Sequence, residues 1–278
     1  MDSKRQAQIV FLIPASSAWE NQLDQVAQKE SWAKELPEHI KVFWYVGRHN
    51  EVEEVVGDIL YLDCQDGYDS ILKKTVFAIR WVIENEDFDI VIRTNTSTYF
   101  DLKRTQEVVK SFQSENIKVG GFLEQANIGK GKSKVRRKFV TGTGIVMSRE
   151  AVKLLGSSNL DNLIGVPDDT AISSYFLSHN IPLLPTRRGN LSVTRFFIPN
   201  WQIRLKASDN SRLASSRFPL VHEYFNSSGT VNRVIAFFRI QANEFKNFEW
   251  RVTYIFTFFR NFVHVLKLNA FRKFTRDE

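Results

Sequence analysis

YDSILKKTVFAIRWVIENEDFDIVIR, Tyr68 to Arg93, holds both of the periods that decide the fold. Ile71, Leu72, Thr75, Val76, Ile79, Val82 and Ile83 recur at steps of three and four, which puts them on one face of a helix over Tyr68–Glu84. The segment ends in Asp89–Arg93 (DIVIR), a short apolar run of strand length. The same alternation extends outward on both sides. Ile9–Ile13 (IVFLI) reads as a buried first strand that stops at the polar turn Pro14–Ser17. Gln22–Trp32 reads as a helix, Ile40–Val46 (IKVFWYV) as a second strand, Asp58–Leu62 (DILYL) as a short third, and Leu102–Phe112 as the next helix. This order predicts an α/β fold, a mostly parallel sheet flanked by helices. Ligands of such sheets sit beyond the carboxyl ends of the strands. Pro14 to Ser17 and Thr94 to Thr98 are therefore expected on the functional rim.

Composition narrows the class. The 278 residues are 43% hydrophobic and 25% charged, which is globular and excludes a disordered chain or a collagen-like fibre. The longest apolar run, Val252–Phe259, is interrupted by Thr253, Tyr254 and Thr257, far short of the roughly 18 to 20 residues of a bilayer span. The first residues lack an export signal, and Cys64, the single cysteine, has no internal partner, so a cytoplasmic, reducing setting is expected. A net charge of +7 and a pI near 9.4 call for a polyanionic partner: nucleic acid, a phosphate-rich substrate or an anionic membrane.

Downstream the pattern is less regular. Gly129–Lys138 (GKGKSKVRRK) carries six basic residues and reads as a mobile loop. Phe139–Ser148 (FVTGTGIVMS) reads as a strand interrupted by Gly142 and Gly144, a mark of a bulge or close backbone approach. Helices begin at Arg149 and Asp168, and Arg187–Arg217 reads as irregular basic rim. From Gly229 onward nine Lys or Arg face four acids, and Phe248, Val252, Ile255, Phe259, Phe262 and Leu266 share one helical face. Two readings stay open for this tail: an amphipathic helix packed on the domain, or one lying in an anionic membrane interface.

Four segments in order resemble the β1,3-glycosyltransferases of the galactosyltransferase and Fringe kind. Gly57, Asp58, Asp63, Asp66, Tyr68, Lys74 and Thr75 match a glycine-aspartate pair, a D-x-x-D-x-Y step and a lysine-threonine. Arg93-Thr94 stands where that family has lysine-threonine before its D-x-D motif. Thr141-Gly142-Thr143-Gly144, followed by Ser148-Arg149, is similar to its glycine-rich acceptor strand, and Pro167-Asp168-Asp169-Thr170 to the proline-aspartate-aspartate of Fringe-like enzymes.

The resemblance implies a GT-A glycosyltransferase domain over residues 1–228, with a donor half to about 125, an acceptor half from about 126, and the tail 229–278 as an extension. It also implies inversion at the anomeric carbon. Asp169 is then the base, Asp168 bonds acceptor hydroxyls, and Gly142, Thr143 and Gly144 line the acceptor. Pro14, Ser16, Asp66, Lys74, Arg93, Asn95, Thr96, Ser97, Arg136 and Arg137 are expected on the donor, a UDP-sugar. Read without the resemblance, Pro167-Asp168-Asp169 simply opens a helix, with acids at its positive end.

One departure bears on cofactors. Asn95-Thr96-Ser97 replaces the D-x-D, and neutral oxygens are weak ligands for a hard divalent cation, so manganese or magnesium is expected to bind weakly at most, with His222 as a further candidate ligand. Basic residues then offer a metal-independent way to stabilise the leaving diphosphate. Three functions compete: an inverting transferase acting on a glycan or lipid-linked acceptor in cell-surface polysaccharide synthesis at the inner face of a membrane, a non-catalytic relative that binds nucleotide or glycan, and a nucleic-acid binder. The last has charge but no motif.

Overall fold

Strand runs that are apolar on both faces must be covered on both faces, and this organises the molecule. The computed structural model describes residues 6–16, 19–128, 135–162, 166–190, 201–205 and 214–226. Its strands are β1 (Ile9–Pro14), β2 (Ile40–Gly47), β3 (Glu54–Val56), β4 (Ile59–Leu62), β5 (Ile90–Arg93), β6 (Thr98–Phe100), β7 (Val119–Ile128), β8 (Val135–Ser148), β9 (Leu183–Pro185), β10 (Gly189–Asn190) and β11 (Gln202–Arg204). The helices are α1 (Trp19–Lys29), α2 (Ile71–Asn85), α3 (Leu102–Ser114), α4 (Arg149–Gly156), α5 (Asp168–Ser178) and α6 (Ala214–Asn226).

Eight strands form one mixed sheet in the order β3-β4-β2-β1-β5-β8-β7-β9, and β10-β11-β6 form a small second sheet. The run β4-β2-β1-β5 is parallel throughout, whereas β5-β8 and β8-β7 are antiparallel. Alternate residues of each central strand feed two cores. Ile9, Phe11 and Ile13 pack with Trp44, Ile92 and residues of α1, α3 and α6; Val10 and Leu12 pack with Tyr45, Val91 and residues of α2, α4 and α5. This is the α/β class, with helices on both faces, that the sequence predicts.

Strand order places the crevice. The order in which strands are added to the sheet reverses at β1, since β2 and β4 lie to one side of it and β5 to the other. The gap beyond the carboxyl ends of β1 and β5 is such a switch point, the usual ligand position. Its lips are Pro14 to Ser16 and Thr94 to Ser97.

Several boundaries differ from expectation. The helix drawn from Tyr68 starts at Ile71, and that drawn from Gln22 starts at Trp19. The loop read over Gly129–Lys138 is strand from Val135 on, because β7 pairs with it from Ile128 back to Leu123 and satisfies its backbone groups. The rim read over Arg187–Arg217 contains β10, β11 and the start of α6. Residues 129–134, 191–200, 206–213 and the whole tail from 227 lie outside the described residues. Among the described residues no helix is long and apolar enough to cross a membrane.

Candidate active site

The site grows from an irregularity in the sheet. Gly121 pairs with Ile145 but Leu123 pairs with Val140, so Thr141-Gly142-Thr143-Gly144 bulges out of β8 opposite the single residue Phe122. Arg93, the last residue of β5, pairs with Ile145, so the bulge begins where β5 ends and overhangs the switch point. Thr94 Oγ1 donates to the Thr143 carbonyl at 2.7 Å and ties the two together.

α5 presents the carboxylates to this bulge. Pro167 stands at the N-cap position with no side-chain capping bond, and Asp168 and Asp169 fill the first turn, where negative charge meets the positive end of the helix. Asp169 is half-buried. Its Oδ2 accepts from the Gly142 amide at 3.1 Å and its Oδ1 from the Thr170 amide at 2.8 Å. Burial first, and the neighbouring Asp168 second, raise its pKa above the usual carboxylate value, against the opposing pull of Arg93 and the two amides. A half-buried carboxyl group with raised proton affinity, held at a bulge beside a switch point, can accept a proton from a hydroxyl.

Asp168 is different. It is 4% exposed and its Oδ2 pairs with Arg93 Nη2 at 2.6 Å and accepts from Thr75 Oγ1 at 3.0 Å, while Oδ1 accepts from the Asp169 amide at 3.0 Å. Thr75 also meets the Tyr45 hydroxyl at 2.7 Å, and burial pushes that tyrosine up to about 12. Arg93 is 1% exposed and reaches Asn95 Oδ1 at 2.6 Å and the Gly142 carbonyl at 2.8 Å. Burial opposes its charge, but Asp168 and its other neighbours outweigh that and raise its pKa. A Cβ on Gly142 would lie 2.5 Å from Arg93 Nη1, so only glycine admits the guanidinium here.

The other expected donor residues divide into three groups. Pro14 and Ser16 stand on the β1 lip. Lys74, 2% exposed, is turned inward to Asp66 at 2.5 Å and the Ala15 carbonyl at 3.0 Å, so it braces that lip from below. On the opposite lip, Gln28 of α1, fully buried, donates to the Asn95 and Thr98 carbonyls at 3.3 and 3.2 Å and accepts from Trp44 at 2.8 Å. Leu205 donates its amide to the Ser97 carbonyl at 2.9 Å. The Asn95–Ser97 turn is thus fixed from three sides.

Arg136 and Arg137 sit on β8 opposite Asn127 and Ala126, and Arg137 is exposed. Arg137 and Thr141 are four positions apart, about 13 Å of strand, so this end of β8 reaches out beyond the rim. His222 lies on α6, against Tyr99 at 3.2 Å and Asn226 at 3.1 Å; burial first and then Lys34 lower its pKa. Among the described residues no three His, Cys, Asp or Glu side chains cluster as metal ligands would. The turn does not fit a divalent cation either: its one amide oxygen, Asn95 Oδ1, is already turned to a guanidinium, and it offers no carboxylate.

Sequence reasoning missed Gln28, Tyr45, Gln202 and the stacking of Arg188 on Phe122. Gln202 is buried against Gly144, where a Cβ would stand 2.4 Å from its Oε1. Arg188 donates to Thr141 Oγ1 at 3.2 Å and pairs with Glu124 at 2.8 Å. Of these only Arg188 carried a signal, as one of a run of cations.

A model of the galactosyltransferase family matches residues 29–185, from the end of α1 through β9. The chain belongs to that family. The matched span holds the turn, the bulge and both carboxylates of this galactosyltransferase-family domain. UDP-GalNAc:beta-1,3-N-acetylgalactosaminyltransferase 2 of Homo sapiens is 29% identical over 119 residues, and that of Mus musculus 28% over the same length. The match takes in 39% of this chain but 24% of each relative, so the chain spans about a quarter of the curated relatives it matches. A solved glycosyltransferase involved in glycosylation of the major capsid of PBCV-1 aligns with 76% of this chain and 98% of its own, at 10% identity and a TM-score of 0.47. A likeness that distant bears on neither fold nor chemistry here.

Proposed function

We propose that the protein transfers a sugar from a UDP-sugar to a hydroxyl of a glycan acceptor, with inversion at the anomeric carbon and Asp169 as base. The observation that carries this is the placement of Asp169: half-buried, held by the Gly142 amide at 3.1 Å, at the mouth of the crevice between β1 and β5. As the acceptor oxygen bonds to the anomeric carbon, its proton passes to Asp169, and the bond from that carbon to the diphosphate breaks with its electron pair leaving on the diphosphate. The relatives' names, with UDP-GalNAc and a β1,3 linkage, support the donor class and the reaction.

Charge on the leaving diphosphate is met in this reading by backbone donors and by cations of the hairpin, Arg136 and Arg137 among them. Manganese and magnesium add little, because the Asn95–Ser97 turn suits neither. The acceptor is a glycan or lipid-linked glycan of cell-surface polysaccharide synthesis, met on the cytoplasmic side of an anionic membrane that the basic aromatic tail engages. Nucleic acid is not a partner.

Thermal shift against a panel of nucleotide sugars, with manganese and with EDTA, tests the donor, since selective binding stabilises the folded state by mass action. Selective stabilisation by UDP-sugars that survives EDTA is expected, followed by transfer to acceptor glycans. Inactivation by EDTA with rescue by manganese would overturn the metal-independent reading. Binding without any turnover would leave the non-catalytic alternative, which the missing carboxylates of the turn favour. Flotation with anionic vesicles, weakened by salt, tests the membrane contact.

A further inference from the structure

We infer that Arg93 and Asp168 are a positioning pair: they contact neither donor nor acceptor, and the guanidinium locks the donor turn, the acceptor-strand bulge and the helix that carries Asp169 into one geometry. The inference rests on the reading of Asp169 as base.

The geometry is that of a fork whose two terminal nitrogens engage three acceptors. Arg93 Nη1 reaches Asn95 Oδ1 of the turn at 2.6 Å and the Gly142 carbonyl of the bulge at 2.8 Å, and Nη2 reaches Asp168 Oδ2 of α5 at 2.6 Å. A planar guanidinium holds several acceptors at fixed angles, which a single ammonium does not. Asp168 completes the link to the base, because its other oxygen accepts from the Asp169 amide at 3.0 Å. Thr75 and, behind it, Tyr45 hold Asp168 from the far side. Arg93 is 1% and Asp168 4% exposed, so neither presents a surface to a ligand; Arg93 Nε is buried with no hydrogen-bond partner among the described residues.

Stability alone does not account for such a pair. A buried ion pair loses about as much in desolvation as it gains in attraction, and apolar residues of similar volume often serve as well. Its place at the end of β5, where three functional segments meet, accounts for it better. The groups that act on Asp169 are Asp168 and the Thr170 amide from its own helix, Arg93 from β5 and the Gly142 amide from β8, with Tyr45 of β2 behind Asp168. Lys74, the cation buried on α2, is turned to Asp66.

The Gly142 amide, bonded to Asp169, is a reporter that needs no enzymatic activity. In protein labelled with 15N-glycine, which has 13 glycines, its resonance should titrate with Asp169 and lose that titration in Asp169→Asn. Asp168→Asn removes the like charge and should lower the midpoint. UDP affinity, measured by calorimetry, should stay within about 3-fold in Asp168→Asn and in Arg93→Lys, because Gln28 and the Leu205 amide still hold the donor turn.

If Asp168→Asn does not fold, the double variant Arg93→Met with Asp168→Leu, which removes both charges together, takes its place. In it UDP affinity should hold while the Gly142 amide stops reporting Asp169, because the base is no longer held at the bulge. An unchanged midpoint in Asp168→Asn, or an unchanged Gly142 titration in the double variant, overturns the inference. So does a 10-fold loss of UDP affinity in Arg93→Lys, which would make Arg93 a donor ligand. Should the titrations behave as expected and no nucleotide sugar turn over, the assignment of Asp169 as base fails and the positioning pair stands.

Discussion

The parallel half of the sheet, β4-β2-β1-β5, and the antiparallel half, β5-β8-β7, are built from opposite materials. The first is almost continuous apolar side chain: Ile9 to Ile13 are all buried, on two faces, under helices on both sides. The second gives up side chains where it meets the first. Thr141 to Gly144 leave the ladder, and their places are taken by Arg93, Asn95 and Gln202. One half supplies rigidity and the other the polar groups that rigidity positions, which is the usual division between scaffold and site. Perturbing the first should therefore cost stability, and perturbing the second should cost activity.

Phe11→Ala should show the largest effect. Phe11 is fully buried and packs on Trp32 and Phe100 at ring-centroid distances of 5.3 and 4.9 Å. Urea denaturation is expected to show a loss of about 3 to 5 kcal/mol, with UDP affinity at low temperature nearly unchanged in the fraction that remains folded. A weakened affinity out of proportion to that fraction would break the comparison, since the scaffold would then share in recognition. Next in size, Asp169→Asn should lower transfer by at least about 10²-fold, near 2.7 kcal/mol of barrier, with the far-UV spectrum and donor binding kept. Near-normal transfer would remove Asp169 from the chemistry.

Gly144→Ala probes the seam between the halves. Its Cβ would meet Gln202 Oε1 at 2.4 Å and Trp201 at 3.0 Å, so Gln202 must move. An overpacking cost of about 1 to 3 kcal/mol is expected in thermal unfolding, together with a raised KM for acceptor and an unchanged one for donor. Equal effects on the two substrates would show that the bulge does not separate their sites.

How much of this was legible in the sequence follows the same division. Strands such as IVFLI and IKVFWYV are unbroken apolar runs, and α2 has a clear period, so both could be read directly. β7 could not, because VGGFLEQANI has two glycines and no alternation and becomes a strand only through its partner β8. In the site, Asp169 and the paired glycines showed as a motif, since their spacing is local. The inward turn of Arg93 and Asp168 did not show, because the two meet across the fold, 75 positions apart along the chain, and nothing near either announces the other. Gln28 sits in an ordinary-looking polar helix, and its burial depends on Trp44 and on two carbonyls of a distant turn.

The smallest effect separates the two adjacent carboxylates by stability alone. Burial, and then Asp168, raise the pKa of Asp169 in the folded protein. Folded protein therefore holds this proton more tightly than unfolded chain, so the stabilising contribution is complete below the ordinary aspartate pKa and is lost as pH climbs through the raised folded value. At neutral pH the ionised Asp169 is a net burden, and Asn, which never ionises, lifts it. Asp169→Asn should therefore melt above the wild type at pH 7, and the gap should close as pH falls toward 4. Asp168→Asn should do the reverse at pH 7, because it strands the buried Arg93 without its counter-charge. Thermal melts of both variants at pH 7 and pH 4 decide the matter. A destabilised Asp169→Asn at pH 7 would mean that its bonds from Gly142 and Thr170 outweigh the burial of its charge, and that Asp169 belongs to the scaffold after all.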